Sequence, residues 1–96
     1  MAEILHLNLI RKYFDDIAEG RKRVEYREQS AHWRARLEGR RYDFIKFRNG
    51  YSANAPEMLV EFRRVRRYGK GRNAYYAISL GKIIKKLRFR KSKRER

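Results

Sequence analysis

The segment from Gly20 to Arg27 carries the residues best suited to chemistry, in the pattern G-x-K-x-x-E-x-R. Side chains alternate along a strand, so Glu25 and Arg27 would share one face. Lys22 would reach toward the same place from the turn that Gly20 permits. A carboxylate beside two cations forms a compact site suited to a small polar or phosphate-bearing ligand. The alternative is the solvated face of a hairpin, which carries such charges without binding anything.

Each charged residue of this motif has a chemical role and a structural alternative. Lys22 can hold a phosphate or a nucleobase carbonyl, or act as a base when desolvated; otherwise it is a surface lysine. Glu25 can accept hydrogen bonds from a base edge or act as a general acid/base, or it only pairs with a cation. Arg27 offers bidentate recognition of phosphate, or a salt bridge to Glu25 or Glu28. Arg48 is a further ligand candidate, because it ends a strand at an Asn-Gly turn that would display it rigidly.

A second group of cations lies further along the chain, with tyrosines among them. Its members are Arg63, Arg64, Arg66, Arg67, Lys70 and Arg72, and Tyr68, Tyr75 and Tyr76 are interleaved with them or follow closely. Cations beside aromatic rings can hold a nucleic-acid backbone while the bases stack. The alternative is a solvated face, which this much like charge makes unfavourable unless a polyanion neutralises it.

The composition changes sharply after Ile84. Residues 85–96 hold eight cations and one acid. We therefore expect a folded domain over residues 1–84 and a flexible basic tail over residues 85–96. Lys85, Lys86 and Arg88 of this tail are included among the nucleic-acid-binding candidates.

The overall charge points to a polyanionic partner. The 96 residues carry a formal charge of +16, from 27 Lys and Arg against 11 Asp and Glu. Such a field attracts nucleic acid first and an anionic membrane surface second.

The residues that are absent bound the class of protein. Without cysteine the chain has neither disulfides nor thiolate metal ligands, which suits a reducing compartment. The start lacks the basic and then apolar pattern of a secretory signal, and no apolar run approaches the about 20 residues that span a bilayer. His6 and His32 lack the spacing of a metal site. We therefore expect a cytoplasmic protein with no metal and no cofactor.

Hydrophobic periodicity predicts five strands and two short helices. The strands are expected near residues 4–9, 24–27, 42–47, 58–65 and 75–79, and the helices near residues 11–19 and 30–39. Gly20 would end the first helix, on which Asp15 is expected to face water, and Ser30 would cap the second. Trp33 and Tyr26 are expected to pack rather than to stack on a base. The predicted fold is α+β, a small and strongly curved β-barrel of about five strands with two short helices.

Further short stretches accompany the G-x-K-x-x-E-x-R motif in a fixed order. They are Leu5-His6-Leu7, Tyr13-Phe14-Asp15-Asp16-Ile17, Glu25-Tyr26-Arg27-Glu28, Trp33, Tyr42-Asp43, Phe47-Arg48-Asn49-Gly50-Tyr51, Ala55-Pro56, Val60-Glu61 and Leu80-Gly81-Lys82-Ile83. In these stretches the chain resembles the ASCH domain, a branch of the PUA-like superfamily, in its small single-domain form common in bacteria and phages. The resemblance covers about residues 3–84.

The resemblance implies a PUA-like β-barrel whose cleft is lined by the motif and recognises RNA or a nucleotide. It also implies that hydrolysis is an alternative, because some ASCH proteins deacetylate acetylcytidine and others are described as ribonucleases. In the amidohydrolase group the nucleophile is a Thr where this chain has Glu25, while the motif Lys corresponds to Lys22. That departure, and a catalytic Glu of a helical insertion that we do not find in this shorter chain, argue against amidohydrolase chemistry.

The leading hypothesis is an RNA-binding module. Its cleft around Lys22, Glu25, Arg27 and Arg48 would recognise a nucleotide, while the second basic group and the tail would add backbone affinity. The first alternative is a ribonuclease or modified-nucleoside hydrolase that uses Lys22 and Glu25 as an acid/base pair. The second alternative is a non-specific binder of DNA or another polyanion.

Overall fold

The computed structural model describes residues 2–89. In chain order the elements are β1 (Ile4–Asn8), α1 (Arg11–Ala18), β2 (Val24–Glu28), α2 (Ala31–Leu37), β3 (Phe44–Arg48), β4 (Glu57–Tyr68), a 3₁₀ turn (Gly71–Asn73) and β5 (Tyr75–Leu87). Over these residues the structure confirms the predicted α+β class, with five strands and two short helices.

The five strands form one sheet in the order β1-β3-β4-β5-β2. Strand β1 runs parallel to β3, and every other neighbouring pair is antiparallel. The sheet is curled into a half-barrel, and β1 and β2 are its two edge strands. Register shifts between Leu59 and Arg64 mark bulges that bend the long β4–β5 pair.

A single hydrophobic core joins both helices to one face of the sheet. Its buried side chains include Leu5, Leu7, Phe14, Ile17, Leu37, Ile45, Phe47, Met58, Val60, Tyr76 and Ile78. Burying each such side chain contributes about 1.5–3 kcal/mol. Because a slip of one residue would turn these side chains outward, the core also fixes which residues lie on the opposite face.

The start of α2 agrees with the sequence prediction, whereas the burial of one α1 residue does not. Ser30 Oγ accepts a hydrogen bond from the Trp33 N–H at 3.3 Å, which confirms the predicted cap of α2. Asp15, however, was predicted to face water and is buried instead, with 8% of its surface exposed. The Arg11 Nε donates to Asp15 Oδ1 at 2.8 Å, so a partner one helical turn away compensates the buried carboxylate.

Strand β5 continues past residue 79, its predicted end, and past residue 85, the predicted start of the tail. The strand continues to Leu87, and its last residues pair with β4, Lys85 opposite Leu59 and Lys86 opposite Met58. Backbone hydrogen bonding to β4 therefore orders a segment whose side chains alone indicated a tail. Phe89 then packs against Phe14, with the ring centroids 5.9 Å apart. The rest of the predicted tail, residues 90–96, lies outside the described residues.

Candidate functional site

The turn before β2 delivers Lys22 to the start of that strand. Gly20 follows α1 with φ of 82°, in the left-handed region that glycine adopts without strain. The next two backbone N–H groups, of Arg21 and Lys22, both donate to the Asp16 carbonyl oxygen at 2.8 and 3.0 Å. The chain therefore reverses tightly and enters β2 with the Lys22 side chain directed at the motif.

Lys22, Glu25 and Arg27 form one ion cluster, as the alternation of the strand predicted. Arg27 Nε donates to Glu25 Oε2 at 2.8 Å, and Lys22 Nζ lies 3.5 Å from Glu25 Oε1. The Glu25 side chain is only 6% exposed, so the two cations compensate a carboxylate that is nearly removed from water. Arg27 Nη2 also donates to the Asn8 carbonyl oxygen at 3.1 Å. The Arg27 side chain thus links the edge strand β2 to the edge strand β1.

Three aromatic rings surround this cluster. Lys22 Nζ lies 5.3 Å from the ring centroid of Tyr13 and 5.1 Å from that of Tyr26. The Arg27 guanidinium lies 5.0 Å from the ring centroid of Trp33. These distances are typical of cation–π contacts, which hold the two cations in place.

The two packing predictions for aromatic residues have different outcomes. Trp33 is partly buried against the core, as expected, although Arg27 also contacts it. Tyr26 is 55% exposed, and the prediction that it packs inside is wrong. Because Glu25 and Arg27 face the ion cluster, the alternation of β2 turns Tyr26 to the outer face of the sheet.

A cleft lies beside the ion cluster, between the two edge strands; we call it the β1–β2 cleft. Its narrower part, of about 420 Å³, is lined by residues that include Asn8, Tyr13, Glu25, Tyr26, Arg27 and Trp33. Its wider part, of about 600 Å³, is lined by His6, Leu7, Asn8, Arg27, His32, Trp33, Arg36, Lys46, Arg48 and Tyr51. Asn8, Arg27 and Trp33 line both parts. The wider part is lined by four Arg and Lys residues and by no Asp or Glu of the described residues. Glu25 and Glu57 lie outside the lining and pair with Arg27, Lys46 and Arg48, which leaves an excess of positive charge in the groove.

Arg48 is brought to this cleft from β3. It pairs in register with Asn8 of β1, and its Nη2 donates to the Ser52 carbonyl oxygen at 2.6 Å. Its Nε lies 3.2 Å from Glu57 Oε2, an ion pair by distance that lacks hydrogen-bond alignment. The structure therefore places Arg27 and Arg48 in one groove although they are far apart in the chain.

Several cleft residues were not among the predicted site residues. Lys46 lies on the same face of β3 as Arg48, and His6 and Asn8 lie on the matching face of β1. His6 is exposed and lines the groove. Strand alternation alone could have placed these residues opposite the core. It could not have shown that β1 and β3 lie side by side.

The predicted second basic group does not join the cleft. None of its six cations lines either part, within the residues that the structure describes. Arg67 Nη1 lies 3.2 Å from Glu38 Oε2, and the Tyr76 hydroxyl donates to the same oxygen at 2.6 Å. This hydrogen bond, together with Arg67, lowers the pKa of Glu38, while burial raises the pKa of Tyr76. Arg67 thus ties the end of α2 to β4.

The nucleic-acid-binding candidates of the predicted tail, Lys85, Lys86 and Arg88, are also part of the folded domain. Arg88 Nε donates to the Ala55 carbonyl oxygen at 2.9 Å, and Arg88 Nη2 lies 3.3 Å from Glu57 Oε2. Lys86 Nζ lies 5.2 Å from the ring centroid of Phe89. Lys85 is exposed on β5. The structure therefore places these three cations on the domain and not on a free tail.

Comparisons with known proteins add no assignment. No protein-family model, curated protein or solved structure matches the chain. Among residues 2–89, no cluster of three or more His, Cys, Asp and Glu side chains could hold a metal ion. Over the same residues, neither helix has the length and apolar character needed to cross a bilayer.

Proposed function

We propose that this protein binds RNA and that one nucleotide of the RNA occupies the β1–β2 cleft. The observation that carries the proposal is the groove lined by Arg27, Arg36, Lys46 and Arg48 without a carboxylate. Both parts of the cleft fall in the range of small-molecule sites, about 300–1,000 Å³, and suit one unpaired nucleotide rather than a duplex. Sequence-specific RNA recognition uses such unpaired nucleotides, whose bases can be stacked and hydrogen-bonded.

Arg27 is the central phosphate ligand in this proposal. Glu25, Asn8 and Trp33 already fix its guanidinium through the contacts at 2.8, 3.1 and 5.0 Å. A fixed side chain loses less freedom when a phosphate binds, which favours affinity. Arg48 would supply the second charge-assisted contact from the opposite strand.

The aromatic rings would hold the base. Tyr13 and Tyr26 border the narrower part of the cleft, and Tyr51, which is 89% exposed, borders the wider part. Glu25 would act mainly through Lys22 and Arg27, because its carboxylate is already engaged by both. The proposal retains the resemblance to the ASCH domain and a cytoplasmic location.

The test is the affinity of ribonucleotides for the Arg27→Ala/Arg48→Ala variant. Trp33 is the single tryptophan of the chain and lies in the cleft, so its fluorescence reports on nucleoside monophosphates bound there. We expect at least about a tenfold loss of affinity, since hydrogen bonds to charged groups contribute about 1.5–3 kcal/mol each. The matched control is Arg40→Ala/Arg41→Ala, which removes two exposed cations from the loop before β3.

Two outcomes would contradict the proposal. If both double variants bind nucleotides equally well, the cleft is not the site. If matched DNA strands bind as tightly as RNA strands at every salt concentration, the protein is a general binder of single strands.

The RNA strands should be recovered intact after binding. Cleavage of the RNA that is lost in a Lys22→Ala variant would instead support the hydrolase alternative, which rests on the 3.5 Å contact between Lys22 and Glu25.

A further inference from the structure

Three exposed tyrosines form a continuous row on the outer face of the sheet, away from the core. The rings of Tyr68 and Tyr75 are stacked, with centroids 5.6 Å apart and planes 26° apart. The rings of Tyr75 and Tyr26 meet edge to face, with centroids 5.8 Å apart. The exposed fractions are 55% for Tyr26, 44% for Tyr68 and 38% for Tyr75. We call Tyr26, Tyr68 and Tyr75 the tyrosine platform.

Two arginines lie beside this platform on the same face. Arg64 and Arg66 alternate with Val65 along β4, so they point away from the core that Val65 contacts. Both are exposed, and neither forms an ion pair within residues 2–89. Unlike Arg67, they have no carboxylate partner among these residues.

The sheet register places small side chains between the arginines and the tyrosine of β2. On β5 the residues opposite Arg64 and Arg66 are Ser79 and Ala77, and Ala77 lies opposite Tyr26 of β2. The long side chains of β4 and β2 therefore flank short ones of β5, and Ala77 is 9% exposed. Glu28 is a carboxylate on this face and lies opposite Tyr75.

Cross-strand aromatic pairs also stabilise sheets, and that is the structural alternative for these rings. It accounts for the contacts between the tyrosines but not for the two unpaired arginines beside them. Rings exposed next to backbone-binding cations are the combination that single-stranded nucleic acid requires.

We propose that the tyrosine platform, with Arg64 and Arg66, binds single-stranded RNA that continues from the β1–β2 cleft. The proposal rests on the function proposed above and assigns a second contact surface to it. Tyr26 connects the two sites, because it lines the cleft and also touches Tyr75. Bases would stack on the tyrosines, and the two arginines would hold the phosphates beside them.

The first test compares Tyr68→Ala/Tyr75→Ala with Tyr68→Phe/Tyr75→Phe. The probe is a fluorescently labelled oligouridine of about 12 nucleotides, within the length range of single-strand sites. We expect the alanine variant to bind it at least about fivefold more weakly and the phenylalanine variant to bind it like the native protein, since stacking needs only the ring. Neither residue lines the cleft, so binding of nucleoside monophosphates measured by Trp33 fluorescence should not change.

The second test concerns the arginines and covers the case in which the alanine variant folds poorly. Arg64→Ala/Arg66→Ala should reduce the slope of log affinity against log salt by about 1.4, as expected for two phosphate contacts on a single strand. Arg40→Ala/Arg41→Ala removes the same charge elsewhere and should reduce the slope less. Glu28→Gln should tighten binding of the oligouridine, because it removes the carboxylate next to the platform.

The outcomes separate the platform from the cleft. Oligouridine affinity that is equal in the alanine and phenylalanine variants, or slopes that are equal in the two arginine variants, would overturn the platform. Unchanged nucleotide binding in Arg27→Ala/Arg48→Ala, with oligouridine binding still sensitive to the platform, would support the platform and contradict only the cleft.

Discussion

Glu25 organises the candidate site at the scale of single residues. It is a nearly buried carboxylate that both Lys22 and Arg27 contact, at 3.5 and 2.8 Å. Removing one partner from a buried ionic cluster leaves the others uncompensated, which costs more than the cluster contributes as a whole. The carboxylate therefore acts chiefly by holding these two cations in place.

Glu25→Gln is expected to lower the free energy of unfolding by about 1–3 kcal/mol, because the buried cations lose their counter-charge. It should also weaken nucleotide binding, since Arg27 loses its strongest orienting contact. Urea unfolding and Trp33 fluorescence measure the two effects. Glu3→Gln, at an exposed carboxylate, is the control and should leave both unchanged. A Glu25→Gln protein as stable as the control would show that the cluster is a solvated surface feature.

At the scale of secondary-structure elements, α2 is attached to the sheet through a polar contact as well as through Leu37. Glu38, directly after the helix, accepts a hydrogen bond from Tyr76 of β5 and pairs with Arg67 of β4. These contacts favour ionised Glu38, and its pKa is lowered from the ordinary 4.5. The attachment of α2 should therefore depend on pH in the acid range.

The sign of this dependence follows from the lowered pKa. The contribution of Glu38 to stability is complete above the ordinary pKa of 4.5 and is lost as the pH falls through the lower folded-state pKa. The Glu38→Gln variant should lack this contribution to stability. The difference in stability between native protein and variant should therefore shrink on acidification. Thermal unfolding from about pH 7 to about pH 3 measures it. A difference that stays constant over the whole range would contradict the assigned role.

At the scale of the whole molecule, the end of the folded domain decides how the charge is distributed. The β4–β5 pair reaches Leu87, and Phe89 packs against Phe14 beyond it. The strongly basic residues 85–88 are thereby part of the domain surface. The remaining cations of the predicted tail lie at residues 90–96.

Two truncations should therefore behave differently. A chain of residues 1–84 loses the last strand pairs and the Phe89 contact, and we expect it to be at least about 1 kcal/mol less stable than the full chain. A chain of residues 1–89 should unfold like the full chain, while its RNA affinity becomes less salt-dependent because five cations and one acid are removed. Thermal unfolding and a salt series of binding measure both. Equal stability of the two truncated chains would show that β5 ends earlier.

Local rules predicted the features that depend on neighbouring residues. Alternation placed Glu25 and Arg27 on one face, and the cap at Ser30 gave the start of α2. The extension of β5 could not be predicted, because Gly81 and the following cations resemble the end of a domain. In the structure the Arg63 and Glu61 side chains occupy the space where a Cβ at Gly81 would lie, so the glycine lets the long hairpin continue.

The pairing of strands that are distant in the chain likewise could not be predicted from the sequence. Arg48 belongs to the cleft only because β1 and β3 are parallel neighbours, a register that no local signal encodes. The exposure of Tyr26 depends in the same way on what covers each face of the sheet.

The link from Arg27 to the Asn8 carbonyl oxygen has a consequence for association between copies of the chain. Strands β1 and β2 are sheet edges, and an edge with free backbone groups can pair with an edge of another molecule. Charged side chains at such an edge prevent this pairing; β2 carries Arg27, and Lys22 lies two residues before the strand. Arg27, which is proposed to hold a phosphate, would therefore also protect the half-barrel from growing into an aggregate.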